Sequence, residues 1–376
     1  MPLPQETFTL GVEEEYQILD PVTRQLSSSA LSILPRAALS LGKFVQPEMQ
    51  LSQLEVATPI CHTLREVRIC LQGLRRVVIE AARQEGKLIA TAGTHPFSRW
   101  QEQQVTPKER YQGLARDYQQ LSREQAIFGS HVHVGLRDRE VALQVMNRAR
   151  IWLSVLLALA ASSPFWMGED TGYASFRTEI WSRWPTSGPP LLFASLRQYQ
   201  ELVQALIATG AIADATKIYW DMRVSERFET VEFRVTDACT SIDEAVMIAG
   251  LARAIVRTCY EQARDNEPFA AVRPELLRMA HWHAARYGIS DHLVDVEQQR
   301  LVSANTLIEK LLTTVRPALE AEGDWEEVSC LVQRIVQQGN GAIRQRTVYQ
   351  QTGRIEAIVD VLVAETAQGT ENVSIQ

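Results

Sequence analysis

Thiols are few in this 376-residue chain and poorly spaced for structural work. Its five cysteines, Cys61, Cys70, Cys239, Cys259 and Cys330, are odd in number and form no CxxC pair. That pattern argues against a disulfide framework or a structural zinc site and fits reduced thiols in the cytoplasm. Basic excess is missing too. With 38 Lys and Arg against 45 Asp and Glu, the formal charge is −7 and the pI near 5.6, so nothing neutralises a phosphate backbone and nucleic acid is excluded as the main partner. The longest apolar run, Ile151 to Ala161, is too short for a bilayer and reads as a buried helix, which predicts no membrane partner. Met1 to Glu6 offers neither a basic n-region nor an apolar h-region, so no signal peptide is expected. There is no Walker-A loop, no GxGxxG opening a helix after a strand, and no internal repeat.

What is present is ordinary in bulk: 45% hydrophobic and 22% charged residues, enough for one large core or two modest ones. The unusual feature is local. Leu10-Gly11-Val12-Glu13-Glu14-Glu15-Tyr16 puts three consecutive carboxylates into a β-strand pattern. Side chains alternate along a strand, so Glu13 and Glu15 share one face, about 7 Å apart, and Glu14 points to the other. Taken alone, such a triplet reads more readily as a wet strand face than as a site.

Three further stretches repeat the habit. In Ser130-His131-Val132-His133-Val134 both histidines share a face opposite the valines, and in Val231-Glu232-Phe233-Arg234-Val235 Glu232 and Arg234 do the same. Glu55 lies opposite Leu54 and Val56, with Glu48 upstream. If these strands are neighbours, Glu13, Glu15, Glu48, Glu55, His131, His133, Glu232 and Arg234 meet on one sheet surface. Carboxylates with an imidazole and no thiolate suit hard cations such as Mg²⁺ or Mn²⁺. Arginines complement phosphate oxygens, and Arg223, Arg344 and Arg346 are candidates beside Arg234.

The periodicity elsewhere predicts helices over Ser27–Leu41, Thr63–Glu85 (with a Thr63/Glu66 capping box), Pro107–Glu124, Val141–Ser162 and Leu196–Ile207. It predicts strands over Phe44–Thr58, Lys87–Ala92 and Phe128–Leu136, and a hairpin of Lys217–Arg223 with Thr230–Thr236. After Ser241 everything reads helical, Glu297–Ala321 included, and these apolar helices offer a homodimer interface. The Trp-rich stretch from Pro164 to Pro190 reads either as a mobile lid or as a packed aromatic loop. The tail from Gln368 reads as disordered. The class is α+β.

The acidic triplet, Gly129-Ser130-His131-Val132-His133-Val134-Gly135 and Thr230-Val231-Glu232-Phe233-Arg234-Val235-Thr236-Asp237 resemble hallmark segments of the carboxylate–amine ligases of the glutamate–cysteine ligase type 2 group. So do Ala161-Ser162-Ser163-Pro164-Phe165-Trp166, Asp170–Ser175 and Ile218-Tyr219-Trp220-Asp221-Met222-Arg223. The resemblance implies a glutamine synthetase-like curved antiparallel sheet around an ATP and Mg²⁺ (or Mn²⁺) site, helices on the outer side, and one catalytic domain over 1–367. It implies Glu13, Glu15, Glu48, Glu55, His131 and Glu232 as metal ligands, with Arg234 on the transferred phosphate. His133 stands apart, because the wider superfamily does not always place a second histidine there. The implied reaction joins L-glutamate and L-cysteine through an acyl phosphate. Three other readings stay open: a ligase for a different carboxylate and amine, a metal-dependent hydrolase on the same surface, and a member that binds nucleotide and catalyses nothing.

Overall fold

The computed structural model describes residues 6–371. Its strands are β1 (Leu10–Leu19), β2 (Val45–Pro47), β3 (Gln53–Ala57), β4 (Leu88–Ala90), β5 (Gly129–Gly135), β6 (Phe165–Trp166), β7 (Glu169–Asp170), β8 (Met222–Val224), β9 (Thr230–Asp237), β10 (His292–Asp295) and β11 (Arg300–Ser303). Its helices are α1 (Ala30–Leu41), α2 (Leu64–Gln84), α3 (Glu109–Tyr118), α4 (Gln120–Arg123), α5 (Arg139–Ala149), α6 (Leu153–Ala160), α7 (Phe176–Trp181), α8 (Leu196–Ala208), α9 (Ile242–Arg264), α10 (Pro274–Tyr287), α11 (Ala304–Glu322), α12 (Trp325–Gln338), α13 (Gly341–Thr352) and α14 (Ile355–Ala367).

The main sheet runs β2-β3-β1-β5-β9-β8, antiparallel throughout, with β4 against the far end of β1. Alternation divides its side chains as the sequence predicts. Leu10, Val12, Val132, Val134, Val231, Phe233 and Val235 enter one core with α5, α6 and α9. Each such buried side chain contributes roughly 1.5–3 kcal/mol relative to exposure, so a register slip of one residue, which would drive carboxylates into that core, is strongly disfavoured. Helix α9 is buried all round from Glu244 to Val256. Its Gly250 lets α12 and α2 close in, since a Cβ there would lie 2.5 Å from Val328 Cγ2 and 2.9 Å from Leu64 Cδ1.

Glu14 faces the helices. Its carboxylate is fully buried and receives Arg75 Nη2 at 2.6 Å, Arg75 Nε at 3.0 Å and the Tyr16 hydroxyl at 2.6 Å. Arg75, from α2, also donates to the carbonyls of Cys239 and Thr240 at 3.0 Å. The middle carboxylate of the triplet is thus a structural ion pair between sheet and helix.

Several expectations are corrected. The helix expected over Glu297–Ala321 starts only at Ala304. Before it comes the β10–β11 hairpin, whose turn is held by Asp295 Oδ1 accepting from the backbone of Glu297 (3.1 Å) and Gln298 (3.0 Å), while Ser303 caps α11. The strand expected from Lys217 begins at Met222, because Asp214 caps a 3₁₀ turn over Ala215–Lys217. The helix expected over Pro107–Glu124 breaks at Gln119, whose φ is 48°. The Trp-rich stretch contains the small β6–β7 hairpin and α7. The capping box of α2 is shifted: Thr63 accepts from Glu66 N, but Glu66 accepts from His62 N at 2.6 Å, one residue before the cap. Residues Arg139–Ala160 are long and apolar enough to cross a membrane, yet 83% of the most apolar window is buried by protein. Gln368 to Glu371 are placed as a turn, with Thr370 buried. The rest of the expected disordered tail, 372–376, and the first five residues lie outside the described residues.

Candidate active site

On the face opposite the valines the sheet floors a cavity of about 850 Å³. The strand registers bring the acidic and imidazole groups there in rows. Glu15 pairs with Glu55, Glu13 with His131, and His133 with Glu232, which in turn pairs with Arg223. Glu48 arrives from the turn between β2 and β3, with Tyr111 from α3 donating to it at 3.3 Å. Four strands and a turn therefore supply one surface, as the shared alternation predicts.

The groups separate into two clusters, each with its potential ligand atoms within 4.8 Å of one another: Glu13, His133 and Glu232, and Glu15, Glu48 and Glu55. In the first cluster His133 Nδ1 is 2.9 Å from Thr230 Oγ1, which fixes the ring. Its Nε2 is buried with no hydrogen-bond partner, 3.5 Å from Glu13 Oε1. His131 stands one step back, its Nδ1 3.0 Å from Glu13 Oε2. Burial, then the charge of Arg234, brings the His131 imidazole down to about 4, so it is neutral. The geometry gathers His133, which the resemblance set apart, and places His131 as the group that holds Glu13.

Charge balance distinguishes the clusters. For Glu13 burial is unfavourable, but the neighbouring His131 and His133 outweigh it and hold the carboxyl well below its ordinary range. For Glu232 burial is again outweighed, by Arg234 and Arg223, and the carboxyl stays ionised. Arg223 grips Glu232 through Nε at 2.7 Å and Nη2 at 3.2 Å. In the second cluster the nearby Arg177, Arg110 and Arg234 do not outweigh burial. Burial and the neighbouring Glu48 push Glu15 up to about 8. Burial, then Glu13, Glu48 and Glu15, raise Glu55 well above its ordinary value, and burial raises Glu48.

Arg234 lies between the clusters. It pairs with Glu232, leaves its Nε without a partner, and sits 5.7 Å from the Trp181 ring. Arg223 lines the cavity, yet its guanidinium is fully engaged, since Nη1 also donates to the carbonyls of Ile218 (2.8 Å) and Thr216 (3.2 Å). The structure does not bring Arg344 and Arg346 to this surface. Arg344 bonds Glu244 and Glu365 at 2.8 and 2.9 Å between α9, α13 and α14, and Arg346 pairs with Asp170 at 2.6 Å.

Pattern reasoning missed several contributors. Gly129 N donates to Glu15 Oε2 at 2.8 Å, and a Cβ at Gly129 would lie 2.4 Å from Arg177 Nη2, so glycine there admits a buried arginine. Arg177, Arg110, Tyr111, Trp181, Trp184 and Tyr219 all line the cavity. Tyr219 meets Trp181 and Trp184 edge-on at 5.3 and 5.2 Å between ring centroids, and the two indoles lie tilted at 6.1 Å. This packed aromatic wall is one of the two forms expected for the Trp-rich stretch. Asp237 anchors that stretch, accepting from Ser162 N at 2.8 Å, Ser163 Oγ at 2.7 Å and Ser175 Oγ at 2.8 Å.

The chain is similar to known proteins along most of its length. The family model described as glutamate-cysteine ligase family 2 matches residues 9–361. A provisionally named glutamate–cysteine ligase 2 of Rhodopirellula baltica is 42% identical over 363 residues, covering 95% of this chain and 96% of the relative. Another such protein, from Roseiflexus castenholzii, is 41% identical over 366 residues, covering 97% and 96%. Among solved structures, the glutamate–cysteine ligase of Francisella tularensis in complex with AMP is similar with a TM-score of 0.73 at 12% identity, covering 99% of this chain and 91% of that one. A bifunctional glutathione synthetase from Pasteurella multocida gives 0.70 at 16% identity, covering 96% and 52%. These two share the fold.

Proposed function

The chain belongs to glutamate–cysteine ligase family 2, and is on that footing an ATP-dependent ligase that forms amide bonds; from this premise we propose that it joins the γ-carboxyl of L-glutamate to the amine of L-cysteine, releasing ADP and phosphate. Amide formation in water is uphill, so the carboxylate must first be activated. Its oxygen attacks the γ-phosphorus of ATP, ADP leaves, and the amine then displaces phosphate from the acyl phosphate.

The observation that carries the reading is the pair of donor clusters. A buried His133 Nε2 without a hydrogen-bond partner faces Glu13 and Glu232, and three half-buried carboxylates meet beside it where the nearby arginines do not offset their desolvation. Oxygens with one imidazole and no thiolate fit hard divalent ions. Glu13, His133 and Glu232 would hold one Mg²⁺ (or Mn²⁺), and Glu15, Glu48 and Glu55 another. When bound, such ions neutralise the triphosphate and charge developing at the transferred phosphoryl group.

The chain's own groups do the positioning. Thr230 and His131 fix His133 and Glu13, as outer groups commonly fix metal ligands. Arg234, paired with Glu232 and acting by its charge on Glu15, Glu48 and Glu55, orients the phosphoryl group. Trp181, Trp184 and Tyr219 keep water from the acyl phosphate. The experiment is direct: incubate the protein with ATP, Mg²⁺, glutamate and cysteine, and measure ADP and γ-glutamylcysteine. ADP release that requires both amino acids is expected. Product with a different amine, and none with cysteine, would retain the ligase and overturn the substrate. ATP-independent hydrolysis on the same surface would overturn both.

A further inference from the structure

Two of the five thiols are not scattered in space. Cys61 Sγ and Cys70 Sγ lie 3.9 Å apart, whereas Cys239 and Cys259 are buried elsewhere and Cys330 is exposed. The two have different surroundings. Cys61 is 1% exposed, and its backbone is tied to the catalytic strand β1 by Cys61 N to Leu10 O at 2.8 Å and Leu10 N to Cys61 O at 2.7 Å. Cys70 stands on α2 and is partly exposed.

The segment leading to Cys61 belongs to the cavity. Ala57, Thr58, Pro59 and Ile60 line it. Thr58 Oγ1 accepts from Val12 N at 3.0 Å, and Val12 is the residue before Glu13. A bond at Cys61 thus reaches the strand that presents Glu13 within three residues.

We propose that Cys61 and Cys70 form a thiol–disulfide exchange site, which takes a small disulfide at Cys70 and closes into an intramolecular Cys61–Cys70 bridge that disturbs the cavity rim. The exposed member is also the more acidic one. Accepting the Cys61 S–H lowers the Cys70 thiol to about 7, while Cys61 is raised by that same bond and by burial. Cys70 is therefore the attacking sulfur, since the thiolate is the nucleophile.

The chemistry closes with cystine as the oxidant. The Cys70 thiolate attacks one sulfur of cystine, the S–S bond breaks, and one cysteine leaves as thiolate and takes up the proton Cys70 had lost. Cys61 then attacks the Cys70 sulfur of the mixed disulfide, giving its proton to the second departing cysteine. Two protein thiols lose two electrons, and one cystine becomes two cysteines. Closing 3.9 Å to a bond of about 2.05 Å draws Cys61, and with it the Pro59–Ile60 rim, toward α2. Shifts of about 1 Å at a reacting centre cost on the order of 100-fold in rate.

The full chain carrying Cys330→Ser, fully reduced, is treated with cystine, alkylated and mapped by peptide mass. A linked Cys61–Cys70 peptide pair, two hydrogens lighter than the reduced pair, is expected. Cys61→Ser, or Cys61→Ala if serine is not tolerated at the buried position, should instead trap a cysteinyl adduct on Cys70. Cys70→Ser should leave Cys61 unmodified. Unmodified Cys70 in the parent, or a stable adduct there without the bridge, overturns the site. Ligase turnover should fall by about tenfold or more on bridging and return with dithiothreitol. Unchanged turnover in the bridged protein overturns the coupling to the rim. Because mapping requires no turnover, a reduced enzyme that makes no product counts against the proposed reaction and leaves the mapping result standing.

Discussion

The two donor clusters share one sheet face but solve opposite electrostatic problems. Around Glu13, His133 and Glu232 the protein supplies its own partners, Arg223 and Arg234 for Glu232 and the two histidines for Glu13, and the carboxylates are held ionised. Around Glu15, Glu48 and Glu55 it supplies too little, and carboxyls are pushed upward. The first cluster is assembled by folding alone. The second is complete only with a cation or with protons. A ligase that must take up charge along with its nucleotide can use this difference: one fixed point that defines geometry, and one whose charge depends on what is bound.

Removing charge from the balanced cluster should do the most damage. Glu232→Gln leaves Arg223 and Arg234 without their counter-charge, and breaking a buried ion pair by deleting one partner costs about 3 kcal/mol or more. Denaturant unfolding should show that loss. Ligase turnover should fall by about 10²- to 10³-fold, the usual scale for removing one preorganised electrostatic group. A Glu232→Gln protein that unfolds and turns over like the parent would remove the reason for treating the clusters differently.

Thr230→Val is a milder probe of the same cluster, because it frees His133 Nδ1 without altering any charge. Loss of such an outer partner commonly weakens metal affinity by about 10- to 100-fold. The Mg²⁺ concentration for half-maximal turnover should therefore rise, with turnover recovered at saturating Mg²⁺. If His131 were the ligand and His133 a bystander, Thr230→Val would leave the Mg²⁺ dependence unchanged and His131→Asn would carry the effect.

The alternation of β1, β5 and β9 made the shared face legible in the sequence, because a two-residue period leaves little choice about which side chains sit together. It also divided the triplet, with Glu14 on the far side. It could not reveal that Glu14 is buried, because its partner Arg75 lies 61 residues away on α2. Nor could it rank His131 against His133. Both have the right parity, and the choice rests on Thr230, a hydroxyl on a neighbouring strand. Arg344 and Arg346 drew attention through residue type alone, and distant acids, Glu365 and Asp170, claim them. The β10–β11 hairpin was misread as helix because its Glu- and Gln-rich turn suits a helix locally, while Asp295 holds it as a turn.

The smallest expected effect separates the clusters by sign. Glu55→Gln removes a carboxyl that the folded protein keeps protonated at a cost. Its folded value lies above the ordinary 4.5, so the native carboxyl is neutral in acid and penalises folding increasingly as pH rises through the ordinary value. Glu15, raised to about 8, carries a penalty of the same sign. Without divalent ions, Glu55→Gln should match the parent near pH 4 and exceed it by about 0.5–2 kcal/mol, the range of single stabilising changes, near pH 8. Glu13 and Glu232 run the other way: their depressed values lend stability above the ordinary carboxyl range, and it is lost as pH falls through their folded values. Added Mg²⁺ should erase the mutant's advantage, since an ion at 100 times its Kd stabilises the parent by about 2.7 kcal/mol. An advantage that persisted in saturating Mg²⁺, or that grew toward acid, would mean Glu55 holds no cation and that its cluster is balanced by some other group.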